Sequence, residues 1–354
     1  MSDSDTYIEK TISQKCDTQS RVYMSDTEIE IPLPNEMSEE SLDANEISDK
    51  ECIQEVDTIF QGDCLKLLES LPDESVQTII TSPPYNIGKK YEEDLPFEEY
   101  LNIHQKVIEE CYRVLKEKGS IFWQVAVFTR DGHHYPLDVK FFPIFEETGF
   151  IPRNRIIWPK SHGLHGRIRF SCRHETMLWF TKTEDHFFNV DPVRIPQKWP
   201  NKKSYQGENK GEVTSDPDGK NPGDVWDIGH IKWNHEEQTV HGAQFPEEFV
   251  ERALLATSEK GDLILDPYAG SGTVPTVAKN HDRHYLAAER DYRYWKVSQL
   301  RLSERADKNG NYVNLKQLRK AGRENSPEFG YHRRPVEEAE ISDEQSTLTD
   351  ANDD

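Results

Sequence analysis

The chain has 354 residues and a formal net charge of −22, from 65 acidic residues and 43 Lys or Arg residues. No run of about 18 apolar residues occurs, so no membrane span is expected, and the first residues lack the pattern of a secretion signal. The five cysteines are scattered and form no C-x-x-C pair, so neither a metal site nor a disulfide framework is predicted, and a reducing cytoplasm is expected.

Most of the negative charge lies towards the two ends of the chain. Residues 1–52 hold 14 acids and 4 bases, and residues 325–354 hold 9 acids and 2 bases, which leaves −5 for residues 53–324. Both end segments are poor in aromatic residues, and such a composition does not offset the entropy that is lost on ordering. We therefore predict two disordered acidic tails around one folded domain, 53–324.

The first motif that indicates chemistry follows a strand end, a short helix and a second, apolar strand, Gln77–Thr81. It reads Ser82-Pro83-Pro84-Tyr85. The Ser82 hydroxyl and the Pro83 carbonyl are hydrogen-bond acceptors, the prolines fix the backbone, and Tyr85 offers a flat face to a base. Such a loop can hold one exocyclic amino group with its lone pair directed at an electrophile. A proline-rich turn without a function is the alternative.

The middle of the chain reads as alternating helices and strands, followed by a long irregular segment. Apolar spacing predicts a helix over Leu101–Lys118 that ends at Gly119. The further predicted elements are a strand over Ser120–Phe128, a helix over Lys140–Thr148, and strands over Arg155–Trp158 and Glu175–Thr181. Residues 183–224 show no periodicity, and loops of this length are usually functional, so we interpret them as an inserted recognition segment.

Two stretches of this region are basic and free of acids. Residues 151–174 contain six Arg or Lys and three His, and residues 194–203 contain four more bases. A solvated surface is one explanation, and contact with nucleic-acid phosphates is the other. The residues that we predict to contact nucleic-acid phosphates on the second explanation are Arg153, Arg155, Arg167, Arg169, Arg173, Lys198, Lys202 and Lys203.

A second motif, Asp262–Thr273, joins an apolar strand to a glycine loop and a helix start. It lacks the third glycine of a dinucleotide fingerprint and the lysine of a phosphate loop, so it indicates a nucleotide-like cofactor without phosphate. Glu289 ends the next strand, near the spacing at which an acid binds ribose hydroxyls. Helices over Phe245–Ser258, Thr273–Asn280 and Tyr292–Ala306 alternate with these strands. The alternation predicts an α/β fold with a doubly wound, mostly parallel sheet.

Together, Ser82-Pro83-Pro84-Tyr85 and Asp266-Pro267-Tyr268-Ala269-Gly270-Ser271-Gly272-Thr273 resemble the S-adenosylmethionine-dependent DNA amino-methyltransferases. The catalytic motif precedes the cofactor motif, as in one group of that family. Gly242 and Tyr268 stand where the family usually has Pro and Phe. The resemblance implies a Rossmann-like fold, S-adenosylmethionine as cofactor, and methyl transfer to a flipped base in double-stranded DNA. A restriction endonuclease acting on the same site is a further expected partner.

The resemblance also assigns site residues. The predicted catalytic residues are Ser82, Pro83, Pro84 and Tyr85, and the predicted cofactor contacts are Asp63, Phe245, Asp266, Gly270, Gly272, Thr273 and Glu289. Asp266 could instead brace the loop, Asp63 could belong to a turn, and Phe245 could anchor a helix start. Thr81-Ser82 is more similar to the cytosine-N4 enzymes than to the adenine-N6 enzymes, which more often carry Asp or Asn there. Remaining alternatives are a protein or RNA methyltransferase and an inactive DNA-binding protein.

Overall fold

A computed structural model describes residues 56–86, 95–130, 133–160, 168–231, 235, 237–239 and 241–304. The predicted tails, 1–52 and 325–354, and the predicted DNA contact Arg167 lie outside the described residues. The strands are β1 (Thr58–Gln61), β2 (Val76–Thr81), β3 (Leu115–Val125), β4 (Val127–Arg130), β5 (His133–Pro136), β6 (Ile151–Pro159), β7 (His174–Thr181), β8 (Leu263–Asp266) and β9 (His284–Glu289). The helices are α1 (Cys64–Ser70), α2 (Phe97–Val114), α3 (Leu137–Thr148), α4 (Glu247–Thr257), α5 (Thr273–Asn280) and α6 (Tyr292–Glu304).

Seven of these strands form one sheet in the order β1-β9-β8-β2-β3-β7-β6. The first five strands in that order are parallel, and β7 is antiparallel to both of its neighbours, β3 and β6. Strands β4 and β5 form a separate hairpin. This mixed but mostly parallel sheet confirms the predicted fold class.

Each face of the sheet is covered by helices. Side chains alternate between the two faces of a strand, so Ile79 packs with α1, α2 and α3, whereas its neighbour Ile80 packs with α4, α5 and α6. Leu265 and Ile264 of β8 divide in the same way. Two apolar cores therefore hold the sheet, and the carboxyl ends of the parallel strands remain free to carry a site. In the described part of the chain, no helix is both long and apolar enough to span a membrane.

The predicted end of α2 is wrong by one turn. The helix ends at Val114, and Leu115 adopts an extended backbone (ψ 134°) and pairs with Val76 as the first residue of β3. Gly119, predicted as the helix stop, lies inside β3, where a Cβ atom would stand 2.9 Å from the backbone oxygen of Gln77. The strand pairing with β2 outweighs the helical spacing of the sequence.

The segment 183–224 contains one short 3-10 helix, Asp191–Val193, and no other helix or strand. Antiparallel bridges join Ile195 to Lys220 and Lys203 to Val213, so the segment folds back on itself as a ribbon. Trp199 and Tyr205 are exposed on it. The segment is therefore held together by its own backbone hydrogen bonds and projects aromatic and basic side chains.

Candidate active site

The two sequence motifs meet at the carboxyl ends of adjacent strands. Residues 82–86 follow β2, and the glycine loop follows β8, which pairs with β2. The buried hydroxyl of Thr81 donates a hydrogen bond of 2.6 Å to the Asp266 carboxylate. This bond ties the end of one motif directly to the start of the other.

A cavity of about 460 Å³ lies between them. Its walls include nine of the eleven predicted catalytic and cofactor residues. These are Asp63, Ser82, Pro83, Pro84, Tyr85, Phe245, Gly270, Thr273 and Glu289. The volume is within the range of small-molecule sites, so the cavity is large enough for a nucleoside-sized ligand.

The catalytic motif is fixed by hydrogen bonds from both sides. The Ser82 hydroxyl donates to Oε1 of Gln124 at 2.6 Å and lies 2.9 Å from the Tyr85 hydroxyl, which also donates to Gln124 Oε1. Tyr100 of α2 donates to the carbonyl of Pro84 at 2.8 Å. Burial raises the pKa of Tyr85 well above its usual value, so this hydroxyl keeps its proton at neutral pH.

Further polar residues stand behind this motif. Gln124 of β3 is 2% exposed, and its amide nitrogen donates to the carboxylate of Glu175 at the start of β7. The other carboxylate oxygen of Glu175 forms an ion pair with Lys160, which directly follows β6. No sequence pattern marks these three residues, because they come from β3, from β7 and from the position after β6 and share no motif.

The glycine loop is shaped around an acidic side chain. Gly270 has a φ of +53°, and a Cβ atom there would stand 3.2 Å from the ring of His241. Its backbone N–H donates to Glu289 Oε2 at 2.8 Å, and the N–H of Asp291 donates to Oε1 at 2.8 Å. Burial raises the pKa of the Glu289 carboxyl to about 7. Glu289 is thus held at the cavity wall by two backbone donors.

Two predicted cofactor contacts point away from the cavity. Asp266 is 1% exposed and accepts from Thr81 and from the N–H of Tyr268, which are the contacts of the bracing alternative. Burial raises the pKa of its carboxyl to about 7. Gly272 has a φ of +75°, and a Cβ atom there would stand 2.7 Å from Cβ of Ser298 in α6. Gly272 is therefore required for close packing of α6 and is not part of the cavity wall.

A buried arginine supports the loop from below. Arg301 of α6 is 1% exposed and donates to Thr273 Oγ1 at 2.9 Å and to Glu247 at 2.7 Å. It also lies 3.3 Å from the carbonyl of Ser271. This side chain therefore joins the starts of α4 and α5 to α6, and nothing in the sequence pattern distinguishes it from a solvated helix residue.

A histidine of α2, His104, lines the cavity, and the helical spacing of the sequence does not distinguish it from a surface residue. His104 is 3% exposed, and its Nδ1 donates to the carbonyl of Tyr100 at 2.8 Å. Burial lowers the pKa of His104 to about 4, so the ring is neutral and Nε2 carries a lone pair. Tyr268 packs against this ring, with 5.7 Å between the two ring centroids.

The predicted DNA contacts fall into separate places. Arg153 forms an ion pair with Glu184 and a hydrogen bond with Thr181. Thr181 pairs with Ser120 towards the amino end of β3, whereas the catalytic motif lies at the carboxyl ends of the parallel strands. The structure therefore does not bring Arg153 to the site. Arg155 forms an ion pair with Asp138 at the start of α3.

The other described contacts lie on the loop after β6 or on the ribbon. Arg169 and Arg173 belong to the loop that joins β6 to β7, beside Glu175, and Arg169 bonds His134 of β5 at 2.8 Å. Lys198, Lys202 and Lys203 are exposed on the 183–224 segment. Two basic surfaces thus remain, one close to the catalytic motif and one on the ribbon.

A doubly wound, mostly parallel sheet with a cavity beside a glycine loop at the carboxyl ends of its strands is the arrangement of a Rossmann-like, ligand-binding fold. The protein-family model described as DNA methylase (N6_N4_Mtase) matches residues 76–300. The chain belongs to this family of S-adenosylmethionine-dependent DNA amino-methyltransferases, which confirms both the resemblance of its motifs and the predicted cofactor.

Individual proteins agree with this assignment. The chain is 50% identical to the Type II methyltransferase M.BglII of Bacillus subtilis over 267 residues, which cover 75% of this chain and 74% of the relative. It is 31% identical to the DNA adenine methyltransferase YhdJ of Escherichia coli strain K12, over 70% of this chain and 83% of that protein. The solved PvuII DNA methyltransferase (cytosine-N4-specific) has the same fold, with a TM-score of 0.57 at 22% identity, covering 74% of this chain and 89% of that one.

Proposed function

We propose that the protein transfers a methyl group to N4 of cytosine within a specific sequence of duplex DNA. The observation that carries the proposal is the acceptor oxygen of Ser82 at the wall of a cavity that it shares with the glycine loop. Serine at this position, after Thr81, favours cytosine N4. Adenine N6 is the second candidate, since an adenine methyltransferase is 31% identical to this chain.

In the proposed reaction the target base leaves the duplex and enters the cavity. The Ser82 hydroxyl oxygen and the Pro83 carbonyl accept the two amino hydrogens, and Tyr85 packs on the ring. The amino nitrogen would accept the methyl group that the cofactor supplies, with S-adenosylhomocysteine as the product that leaves, and it would release one of its two protons to solvent. Bound S-adenosylmethionine supplies an activated methyl group, so acceleration comes mainly from alignment and electrostatics.

The residues around the glycine loop fit this cofactor. Gly270 lines the cavity with its backbone, because a side chain there would meet the ring of His241, which also lines the cavity. We assign the ribose hydroxyls to Glu289, and further contacts to Asp63, Phe245 and Thr273, which all line the cavity. Asp266 and Gly272 shape this loop from behind.

Cofactor affinity should depend on the protonation of Glu289. Two ribose hydroxyls donate best to a carboxylate, and this carboxyl has a pKa of about 7. The dissociation constant measured by calorimetry should therefore fall as pH rises through 7, by about tenfold for each pH unit on the acidic side. Glu289→Gln should bind more weakly at pH 8 and lose this dependence. If Glu289→Gln keeps the pH dependence of the unmodified protein, another group binds the ribose.

We propose that the DNA lies on the side of the cavity that carries the β6–β7 loop, and that the ribbon also contacts it. Phe170 is 99% exposed and Ile168 is 86% exposed, beside Arg169 on that loop. Exposed apolar side chains beside arginines are suited to insertion between base pairs. The ribbon could reach a groove, where a two-stranded element fits.

Lys202 and Lys203 should contribute phosphate contacts. Replacing both by glutamine should weaken binding to all DNA sequences alike and reduce the slope of log affinity against log salt by about 2. The measurement is a fluorescence titration at several salt concentrations. The matched control is Lys260→Gln, an exposed lysine paired with Asp282 near the start of β8, at the opposite edge of the sheet. Equal salt slopes for the double variant and the control would show that the ribbon does not contact DNA phosphates.

The activity itself is tested by sequencing DNA from a host that expresses this chain, with a method that detects modified bases. We expect N4-methylcytosine at one recurring sequence. N6-methyladenine at such a site would select the second candidate, and unmodified DNA combined with normal cofactor binding would indicate an inactive DNA-binding protein. A restriction endonuclease that cuts the same sequence is the partner we propose, with both proteins in the cytoplasm.

A further inference from the structure

The buried Gln124 and the partly buried Glu175 form a hydrogen-bonded pair behind the catalytic motif. Gln124 Oε1 accepts from both Ser82 and Tyr85, while its amide nitrogen donates to Glu175. Glu175 has a side chain that is 15% exposed, and Lys160 holds its second oxygen. Together with Lys160, the pair thus connects β3, β7 and the end of β6 to the hydroxyls of Ser82 and Tyr85, two residues that line the cavity.

The chemistry of the groups fixes the direction of every proton in this pair. A carboxylate has only acceptor sites, so the amide must turn its NH₂ group to Glu175 and its oxygen to the hydroxyls. An amide oxygen has no proton, so Ser82 and Tyr85 must both donate to it. Each hydroxyl owns one proton, and both protons are then committed to Gln124.

A committed proton changes what Ser82 can offer to a ligand. Its remaining lone pairs are acceptor sites, and the neighbouring Pro83 carbonyl is also an acceptor. An exocyclic amino group brings two N–H donors and satisfies both oxygens. A keto oxygen in the same place would meet only acceptors, and buried acceptors left without a donor are costly.

We infer that the Gln124–Glu175 pair is a positioning device that keeps Ser82 an acceptor, and that it thereby selects an amino base over a keto base. The inference rests on the proposed function, and it explains why the substrate is a base with an exocyclic amino group. With the amide reversed, Ser82 could rotate its proton towards the ligand, accept a keto oxygen as a partner, or compete for the lone pair of the amine. Lys160 binds the carboxylate oxygen of Glu175 that does not face Gln124, so the pair is held from behind by an ion pair.

The test compares two DNA duplexes that differ only at the target base, in the presence of S-adenosylhomocysteine. One duplex carries the amino base, and the other carries its keto counterpart, uracil for cytosine or hypoxanthine for adenine. The unmodified protein should prefer the amino duplex by about 10- to 100-fold, the effect of one or two buried hydrogen-bonding groups. Gln124→Leu should lower this ratio towards one, and Glu175→Gln should lower it in part.

Two further variants separate positioning from mere packing. Gln124→Glu retains an acceptor oxygen for the hydroxyls and can share one proton with Glu175, so it should preserve the amino preference. Thr176→Val alters a buried neighbour of Glu175 on the opposite face of β7 and should leave the ratio unchanged. Because the ratio is measured within one protein, a general loss of affinity cancels. If Gln124→Leu does not fold, Glu175→Gln decides.

The outcomes separate this inference from the function on which it rests. Unmodified protein that neither methylates DNA nor distinguishes the two duplexes would refute the proposed function. Unmodified protein that methylates DNA and prefers the amino base, together with variants that keep the same ratio, would overturn the role of the Gln124–Glu175 pair alone.

Discussion

Ser82→Ala should lower the rate of methyl transfer by about 100-fold or more, since one aligned polar contact at a reacting group is worth that much. The cofactor dissociation constant should stay within a factor of about two, because Ser82 contacts the catalytic side of the cavity. Tyr85→Ala should have a comparable effect, whereas Tyr85→Phe keeps the ring face and should retain more activity. Single-turnover transfer to DNA and calorimetry with the cofactor measure the two quantities.

The matched control is Ser303→Ala, which removes an exposed hydroxyl that bonds only the carbonyl of Leu300 within α6 in the described structure. It should transfer methyl groups at the unmodified rate. If Ser82→Ala does so as well, the assignment of the catalytic motif is wrong. If Ser82→Ala instead loses cofactor affinity in parallel with rate, the residue supports the fold of the cavity and not the reaction.

Arg301→Met should lower the free energy of unfolding by about 3–5 kcal/mol, because it removes the buried cation that pairs with the mostly buried Glu247 carboxylate. The same change should weaken cofactor binding, since Thr273 and Ser271 of the glycine loop lose their donor. Urea denaturation and calorimetry measure the two effects. The double variant Arg301→Met with Glu247→Gln should recover part of the stability, because it also removes the charge that had paired with Arg301.

Arg293→Met is the control for this prediction. Arg293 lies on the same helix, but its side chain is 55% exposed and pairs with Asp291. An exposed pair contributes about 0–1 kcal/mol, so its loss should be small. If Arg293→Met and Arg301→Met lower the free energy of unfolding by the same amount, the buried Arg301 ion pair contributes no more to stability than an exposed pair.

The sequence was sufficient for those parts of the site that depend on local backbone. Ser82-Pro83-Pro84-Tyr85 and the glycine loop each follow a strand directly, and the parallel arrangement then brings their carboxyl ends together. The range Thr273–Asn280 for α5 was predicted to the residue, because the glycine loop fixes its start. Glu289 lies at the cavity wall because it ends the neighbouring strand.

The parts that could not be predicted depend on which side chains meet across the sheet. Gln124 and Glu175 are 51 positions apart, and their contact exists only because β7 runs antiparallel beside β3. Asp266 turns inward because Thr81 and the N–H of Tyr268 satisfy it there. The basic composition of residues 151–174 did not show that Arg153 lies near the amino ends of the parallel strands, away from the catalytic motif. This stretch includes all of β6, and the two ends of a strand lie on opposite sides of a sheet.

The two ends of the catalytic fold lie side by side. β1 pairs with β9, and α6 returns along β1, where Trp295 donates to the carbonyl of Ile59 at 2.7 Å. A short covalent link from α6 to β1, with new ends opened within 183–224, would leave every strand of the sheet in its place. A circular permutant of this kind would carry its cofactor motif before its catalytic motif. The order of the two motifs along the chain is thus a matter of connectivity, and one three-dimensional site is compatible with either order.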